Sequence, residues 1–271
     1  MKKLFITTLI LISSFCFSQN SEWTYIFDGK SFNGWHQYNG ESVGSQWSIS
    51  NGELIFTNNR DSKQDIVTDN EYSNFELSIE WNISKGGNSG IFYGVQELPE
   101  FDEAFKTGPE IQVLDNKNFL TSTKLHKSPS LYDLVSSKNK ALEVKNHGEW
   151  NHLILTIDHK NNIGTVKLNG QFAFSFPLSG PEWDNLVSKS KFRYKEYYTK
   201  KAGSNEEFLA FGAFPMSTLK YLTPFTLSQS LNALIALKDA QNSTTIIEDS
   251  SSPKALLLLI ISSNDESSAQ F

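Results

Sequence analysis

The run Phe75-Glu76-Leu77-Ser78-Ile79-Glu80-Trp81-Asn82-Ile83 sets apolar side chains at every odd position and polar ones at every even position. That is the period of a strand with one buried face. Trp47-Ser48-Ile49 and Glu53-Leu54-Ile55-Phe56 flank Ser50-Asn51-Gly52, where Asn-Gly predicts a tight hairpin because both turn positions need positive φ. Asn169-Gly170 predicts a second hairpin between residues 165–168 and 172–176. Further strands are predicted over residues 89–95, 110–114 and 150–158. So many short strands with so little helical spacing predict an all-β chain, a two-sheet sandwich of jelly-roll type.

The alternation stops at about Phe192. All six tryptophans lie at or before Trp183, and all five histidines at or before His159. The remainder is rich in Ser, Leu and Ala; residues 227–241 have helical spacing and 255–261 form a bare apolar run. The sandwich is therefore expected over residues 19–191. An atypical tail, poorly packed or partly disordered, is expected over 192–271.

The other end reads as a signal peptide over residues 1–18, with Lys2 and Lys3, an apolar centre over 4–12, and the small residues Cys16 and Ser18 before cleavage at Gln19. Export to the periplasm or beyond follows, with no membrane anchor in the mature form, since a span needs roughly 20 apolar residues. Cleavage removes Cys16, the only cysteine, so stability must come from apolar burial. A formal charge of −6 argues against a nucleic-acid partner and favours a neutral ligand.

Candidate chemistry concentrates in Thr107-Gly108-Pro109-Glu110-Ile111-Gln112-Val113-Leu114-Asp115. On a strand, Ile111 and Val113 share the core face while Glu110 and Gln112 share the other, a carboxylate beside an amide on an exposed sheet suited to sugar hydroxyls. Asp115 closes the run on a bend. Lys85-Gly86-Gly87-Asn88-Ser89-Gly90 and Leu131-Tyr132-Asp133-Leu134 offer further turn and aromatic groups, while Trp150 is expected in the core. His147, His152 and His159 lack metal-ligand spacing, so no metal site or cofactor is predicted. No Gly-Xaa-Ser-Xaa-Gly elbow or phosphate loop occurs.

Phe27-Asp28-Gly29-Lys30-Ser31-Phe32-Asn33-Gly34-Trp35 opens an ordered series of motifs. It continues through Gly87-Asn88-Ser89-Gly90-Ile91, residues 108–115, Leu131-Tyr132-Asp133-Leu134, Glu149-Trp150-Asn151 and Leu168-Asn169-Gly170. The series resembles the 3-keto-disaccharide hydrolase domain family. The resemblance implies a concanavalin-like jelly roll, export, and cleavage of glycosides whose sugar carries a ketone at C3. It further implies that Glu110 or Asp115 is the catalytic base or acid, with Asn88, Gln112 and Tyr132 holding the substrate's hydroxyls and the enolate oxygen. Two mechanisms fit, elimination followed by hydration with a single base, or direct hydrolysis by two carboxylates. The family's closing Leu-Gln-Asp-His-Gly and Arg-Asn-Ile motifs do not occur after Lys191. The alternatives to an enzyme are a noncatalytic carbohydrate-binding sandwich and an inactive relative.

Overall fold

The computed structural model describes residues 23–57, 65–121, 123–195, 197–198 and the backbone of 254–256. The predicted signal peptide and the helix predicted over 227–241 lie outside the described residues.

The strands are Trp23–Tyr25 (β1), Trp35–Gln37 (β2), Trp47–Ser50 (β3), Glu53–Phe56 (β4), Ile66–Thr68 (β5), Phe75–Trp81 (β6) and Asn88–Phe92 (β7). They continue with Glu110–Leu114 (β8), Ser130–Leu131 (β9), Val135–Ser136 (β10), Asn151–Asp158 (β11), Ile163–Leu168 (β12), Gln171–Pro177 (β13) and Lys254–Leu256 (β14). The larger sheet runs β1-β14-β6-β11-β12-β13 and the smaller β10-β9-β8-β7, with β2–β5 and β3–β4 as separate pairs. Both Asn-Gly hairpins form as the spacing predicts. Asn51 and Gly52 turn β3 into β4 with φ of 55° and 79°, and Asn169 and Gly170 turn β12 into β13 at 51° and 77°.

Alternation decides which groups meet between the sheets. Phe75, Leu77, Ile79 and Trp81 of β6 join Leu153, Leu155 and Ile157 of β11 in one core with Ile91, Ile111, Val113 and Leu131 from the smaller sheet. The Tyr93 and Phe176 rings, 5.8 Å apart, join the two halves. Each such large apolar side chain removed from water contributes about 1.5–3 kcal/mol, so this interior drives the sandwich. Four tryptophans, Trp35, Trp47, Trp81 and Trp183, are buried in it. Trp150 is not: it is half-buried at the entrance to β11, because it precedes the strand and its parity.

One helix, Gly180–Ser188 (α1), was not legible as a period in the sequence. It buries only Trp183 and Val187, too few positions to set a 3.6-residue pattern. Beyond it, Phe192 and Tyr198 are buried in the main core and their rings stack at 4.3 Å. The Tyr198 hydroxyl donates to the Gly108 carbonyl at 2.8 Å, while the Trp183 indole N–H donates to the Tyr198 carbonyl at 2.8 Å. Packing into the sandwich thus continues past residue 191. Farther on, β14 lies parallel to β1 and β6 and covers only Glu76, Leu77 and Ser78 of the seven-residue β6.

Candidate functional site

Strands β7, β8 and β9 build the site. Pairing sets Gly90 opposite Gln112 and Phe92 opposite Glu110, so Asn88, Gly90, Glu110 and Gln112 share the face turned away from the core. Ile111 pairs with Leu131, and the Tyr132 N–H donates to the Glu110 carbonyl at 2.8 Å, which brings Tyr132 beside Glu110. Asn88, Gln112, Glu110 and Tyr132 therefore lie close together, Glu110 and Gln112 by the alternation of β8 and the other two where the family resemblance set them.

The face is less open than alternation alone implies. Phe92 packs with Tyr38, Val67, Val95 and Ala104 in a second apolar cluster that roofs part of the sheet, and Gln112 is buried. Its Nε2 donates to Asn88 Oδ1 at 3.1 Å and to the His126 carbonyl at 3.2 Å. Its Oε1 has no partner among the described residues. A buried acceptor left unmade costs about 1–3 kcal/mol, and a ligand hydroxyl would recover that cost.

Glu110 is half-buried at the rim of the roofed part, and no hydrogen bond reaches its carboxylate among the described residues. Burial pushes its pKa up to about 8; nearby Lys191 opposes the shift and Asp65 adds to it. The carboxylate lies over Gly90, where a Cβ would collide with Glu110 Cγ, Cδ and Oε1. Only glycine leaves that space. The result is a half-buried carboxyl whose pKa is pushed up to about 8 and to which no hydrogen bond is made among the described residues.

Asp115 is a different kind of carboxylate. Its Oδ1 accepts from the Lys117 and Asn118 N–H groups at 3.1 and 3.3 Å, and its Oδ2 from the Gly86 N–H at 2.8 Å and the Asn118 amide at 2.7 Å. Burial alone would raise its pKa, but these donors hold it below the ordinary carboxylate range. The group pins the turn at Gly86 to the turn after β8. Five residues of extended chain put it about 16 Å from Glu110. The resemblance implies Glu110 or Asp115 as base or acid; the two positions lie at opposite ends of β8, and only Asp115 has its oxygens taken up by N–H donors. Two-carboxylate hydrolysis needs a separation of about 5–10 Å.

Three groups beside Tyr132 were not singled out by the sequence. His126 stacks on the Tyr132 ring at 4.6 Å, and its Nε2 lies 2.8 Å from Asp133 Oδ1. The Lys191 ammonium sits 4.0 Å from the centre of the same ring, and Asp133 Oδ2 accepts the Lys191 backbone N–H at 2.7 Å. Burial raises the Tyr132 hydroxyl pKa, with Glu110 and Asp133 adding to the effect. Asp133, at φ 59°, is the only hint in the sequence, as part of Leu-Tyr-Asp-Leu. Elsewhere, His152 bonds Ser78 Oγ at 2.7 Å and His147 lies 3.5 Å from Asp115. Among the described residues no three His, Cys, Asp or Glu side chains are grouped to hold a metal ion.

Known proteins carry the same architecture. A 3-keto-disaccharide hydrolase of Bacteroides thetaiotaomicron is 34% identical over 185 residues, which is 62% of this chain and 62% of that protein. The chain thus spans less than two thirds of that relative's length. A crystal structure from Parabacteroides distasonis ATCC 8503, bearing a glycosyl hydrolase name, superposes with a TM-score of 0.65 at 26% identity. The match covers 74% of this chain and 91% of that one. The family described as the 3-keto-alpha-glucoside-1,2-lyase-like domain matches residues 22–206, which takes in β1 through Tyr198 and the whole Glu110 site. On that match the chain belongs to the 3-keto-alpha-glucoside-1,2-lyase-like domain family.

Proposed function

We infer that the chain is an exported enzyme that cleaves 3-keto-glycosides by elimination, with Glu110 as the base. The observation that carries this reading is the Glu110 carboxyl itself: free of hydrogen bonds among the described residues, with a pKa pushed up to about 8, and beside the unpartnered Gln112 acceptor. A general base works best when its pKa lies near the working pH.

A ketone at C3 acidifies the hydrogen on C2. Glu110 takes that proton, and the C–H electron pair delocalises onto the C3 oxygen as an enolate. The pair then returns to form the C1–C2 double bond as the C1–oxygen bond breaks, and the departing oxygen takes a proton from Glu110. The products are an alcohol and an unsaturated keto sugar; addition of water then yields the free 3-keto sugar. Elimination followed by hydration accommodates both a lyase name for the family and a hydrolase name for the relative. Gln112 Oε1 accepts from a sugar hydroxyl, and Asn88 and Tyr132 border the same ligand. Asp115 takes no chemical part, since four donors occupy its oxygens.

The test is incubation of the mature protein and of Glu110→Gln with a 3-keto-glucoside, with product analysis. Release of the aglycone by the wild type and its loss in the variant is the expected result. Equal release by both would remove Glu110 from the mechanism. Mass spectrometry of the exported chain should find Gln19 at its N-terminus.

A second reading is favoured by the missing Leu-Gln-Asp-His-Gly motif after Lys191, which would supply a histidine. On that reading the chain binds keto-sugars and turns them over slowly. Replacing residues after 206 with a family-like ending would then raise turnover and melting temperature together, whereas an unchanged rate would set it aside.

A further inference from the structure

The enolate formed beside Glu110 carries a full negative charge on the C3 oxygen, and a base alone does nothing to stabilise it. Elimination of this kind needs a donor or a cation aimed at the oxygen where charge develops. Besides the Tyr132 hydroxyl and the Asn88 and Gln112 amides, the described neighbourhood of Glu110 contains a cation, the Lys191 ammonium. Lys191 follows α1 at the start of a short 3-10 segment, Lys191–Tyr194, and its ammonium reaches back over the Tyr132 ring at 4.0 Å and lies 5.1 Å from the Phe192 ring. Tyr132 is the cross-strand neighbour of Glu110, and the ammonium is near enough to act on the Glu110 carboxyl. It makes no ion pair among the described residues.

The position is held from both ends. Asp133 accepts the Lys191 backbone N–H through Oδ2 and reaches His126 Nε2 through Oδ1, while His126 stacks on the far partner of the lysine, Tyr132. One carboxylate thereby fixes the start of the segment that carries the cation and the ring beside the base. Resting on the elimination reading above, we propose that Lys191 is a second catalytic residue, whose ammonium takes the charge developing on the C3 oxygen, and that Asp133 is its positioning residue.

The electrostatics agree with the geometry. Although Lys191 is exposed as a whole, packing of its head against the rings lowers its pKa, and Glu110 and Asp133 pull it back up. The lysine in turn opposes the upward shift of Glu110. Base and cation are thus coupled before any ligand arrives. The proton and charge balance closes: Glu110 receives the C2 proton, the C3 oxygen receives the electron pair, and Lys191 stays protonated throughout.

The test uses a substrate that can enolise but has no aglycone to release, 3-keto-1,5-anhydroglucitol, whose C1 carries only the ring oxygen. Exchange of its C2 hydrogen with deuterated solvent is followed by NMR for the wild type, Glu110→Gln, Lys191→Met, Lys191→Arg and Asp133→Asn. Lys191→Met should slow exchange by about 100- to 1,000-fold, as loss of an oxyanion donor does. Lys191→Arg, which keeps the charge, should stay within about tenfold of wild type. Asp133→Asn should lower kcat on a true substrate by about tenfold with little change in KM, the mark of lost positioning rather than lost binding.

Exchange at the wild-type rate by Lys191→Met, with Glu110→Gln inactive, overturns the lysine assignment alone. Wild-type exchange by Glu110→Gln with Lys191→Met slowed overturns the base and leaves the lysine. No exchange by the wild type overturns both. A borohydride-trapped adduct on Lys191 with the keto sugar also overturns the assignment, because it would make the lysine a covalent catalyst.

Discussion

A carboxylate opens strand β8 and another follows it, and the two have opposite chemistry. Glu110 at its start keeps some exposure, has no hydrogen bond to its carboxylate among the described residues, and has a pKa pushed up to about 8. Asp115 just past its end is more deeply buried, yet four donors hold its pKa below the ordinary value. Burial raises both; the supply of N–H donors decides the sign. A carboxylate saturated with backbone donors is a structural pin, and one starved of them is available for proton transfer.

The largest effect should come from breaking the Glu110 end. Glu110→Gln keeps shape and removes the base, so turnover of a 3-keto-glucoside should fall by about 100- to 10,000-fold, while the melting temperature moves by only a few degrees. Steady-state kinetics and thermal unfolding check the two halves.

Asp115→Ala should show the inverse. It strands the N–H groups of Gly86, Lys117 and Asn118 and the Asn118 amide. At about 1–3 kcal/mol for each group left without water, a loss of about 3–5 kcal/mol in urea unfolding is expected. The fraction that stays folded should keep its turnover. If Asp115→Ala abolished turnover without a stability loss, the division between the two ends would fail.

Gly90→Ala sharpens the same division at closer range. The added methyl would meet Glu110 Cγ, Cδ and Oε1 and not backbone, so the Glu110 side chain must swing aside, at a cost of about 1–3 kcal/mol. Turnover should fall by about tenfold as the carboxylate is displaced.

The smallest effects are in the pH dependence of stability, and their signs differ. Glu110 has a raised folded pKa, so its contribution is fully present below its ordinary value of 4.5 and is lost as pH rises through about 8. Asp115 has a lowered one, so its contribution is present above its ordinary value of 3.8 and is lost as pH falls through the folded value. Glu110→Gln should therefore flatten the melting-temperature profile between about pH 4.5 and 8, and Asp115→Asn its acid side.

Much of this was legible in the sequence. Period two gave the strands, Asn-Gly gave both hairpins, and parity correctly set Glu110 and Gln112 against Ile111 and Val113. Parity says which side a residue faces, however, and not what covers that side. The cluster of Tyr38, Val67, Phe92, Val95 and Ala104 gathers distant segments, so the burial of Gln112 could not be foreseen. Lys191, His126 and Asp133 likewise meet only through long-range packing. The local sequence at Asp115 points to a structural role: Asp-Asn-Lys-Asn favours a turn in which the first side chain caps the following N–H groups.

The most direct measurement uses a 3-keto-glucoside deuterated at C2, cleaved by the wild-type protein in ordinary water. If Glu110 removes the C2 hydrogen in an elimination, cleavage slows relative to the unlabelled substrate and the released keto sugar has lost its deuterium to solvent. Cleavage at an unchanged rate with deuterium retained at C2 would mean direct hydrolysis at C1, and the account of Glu110 as the eliminating base would be wrong.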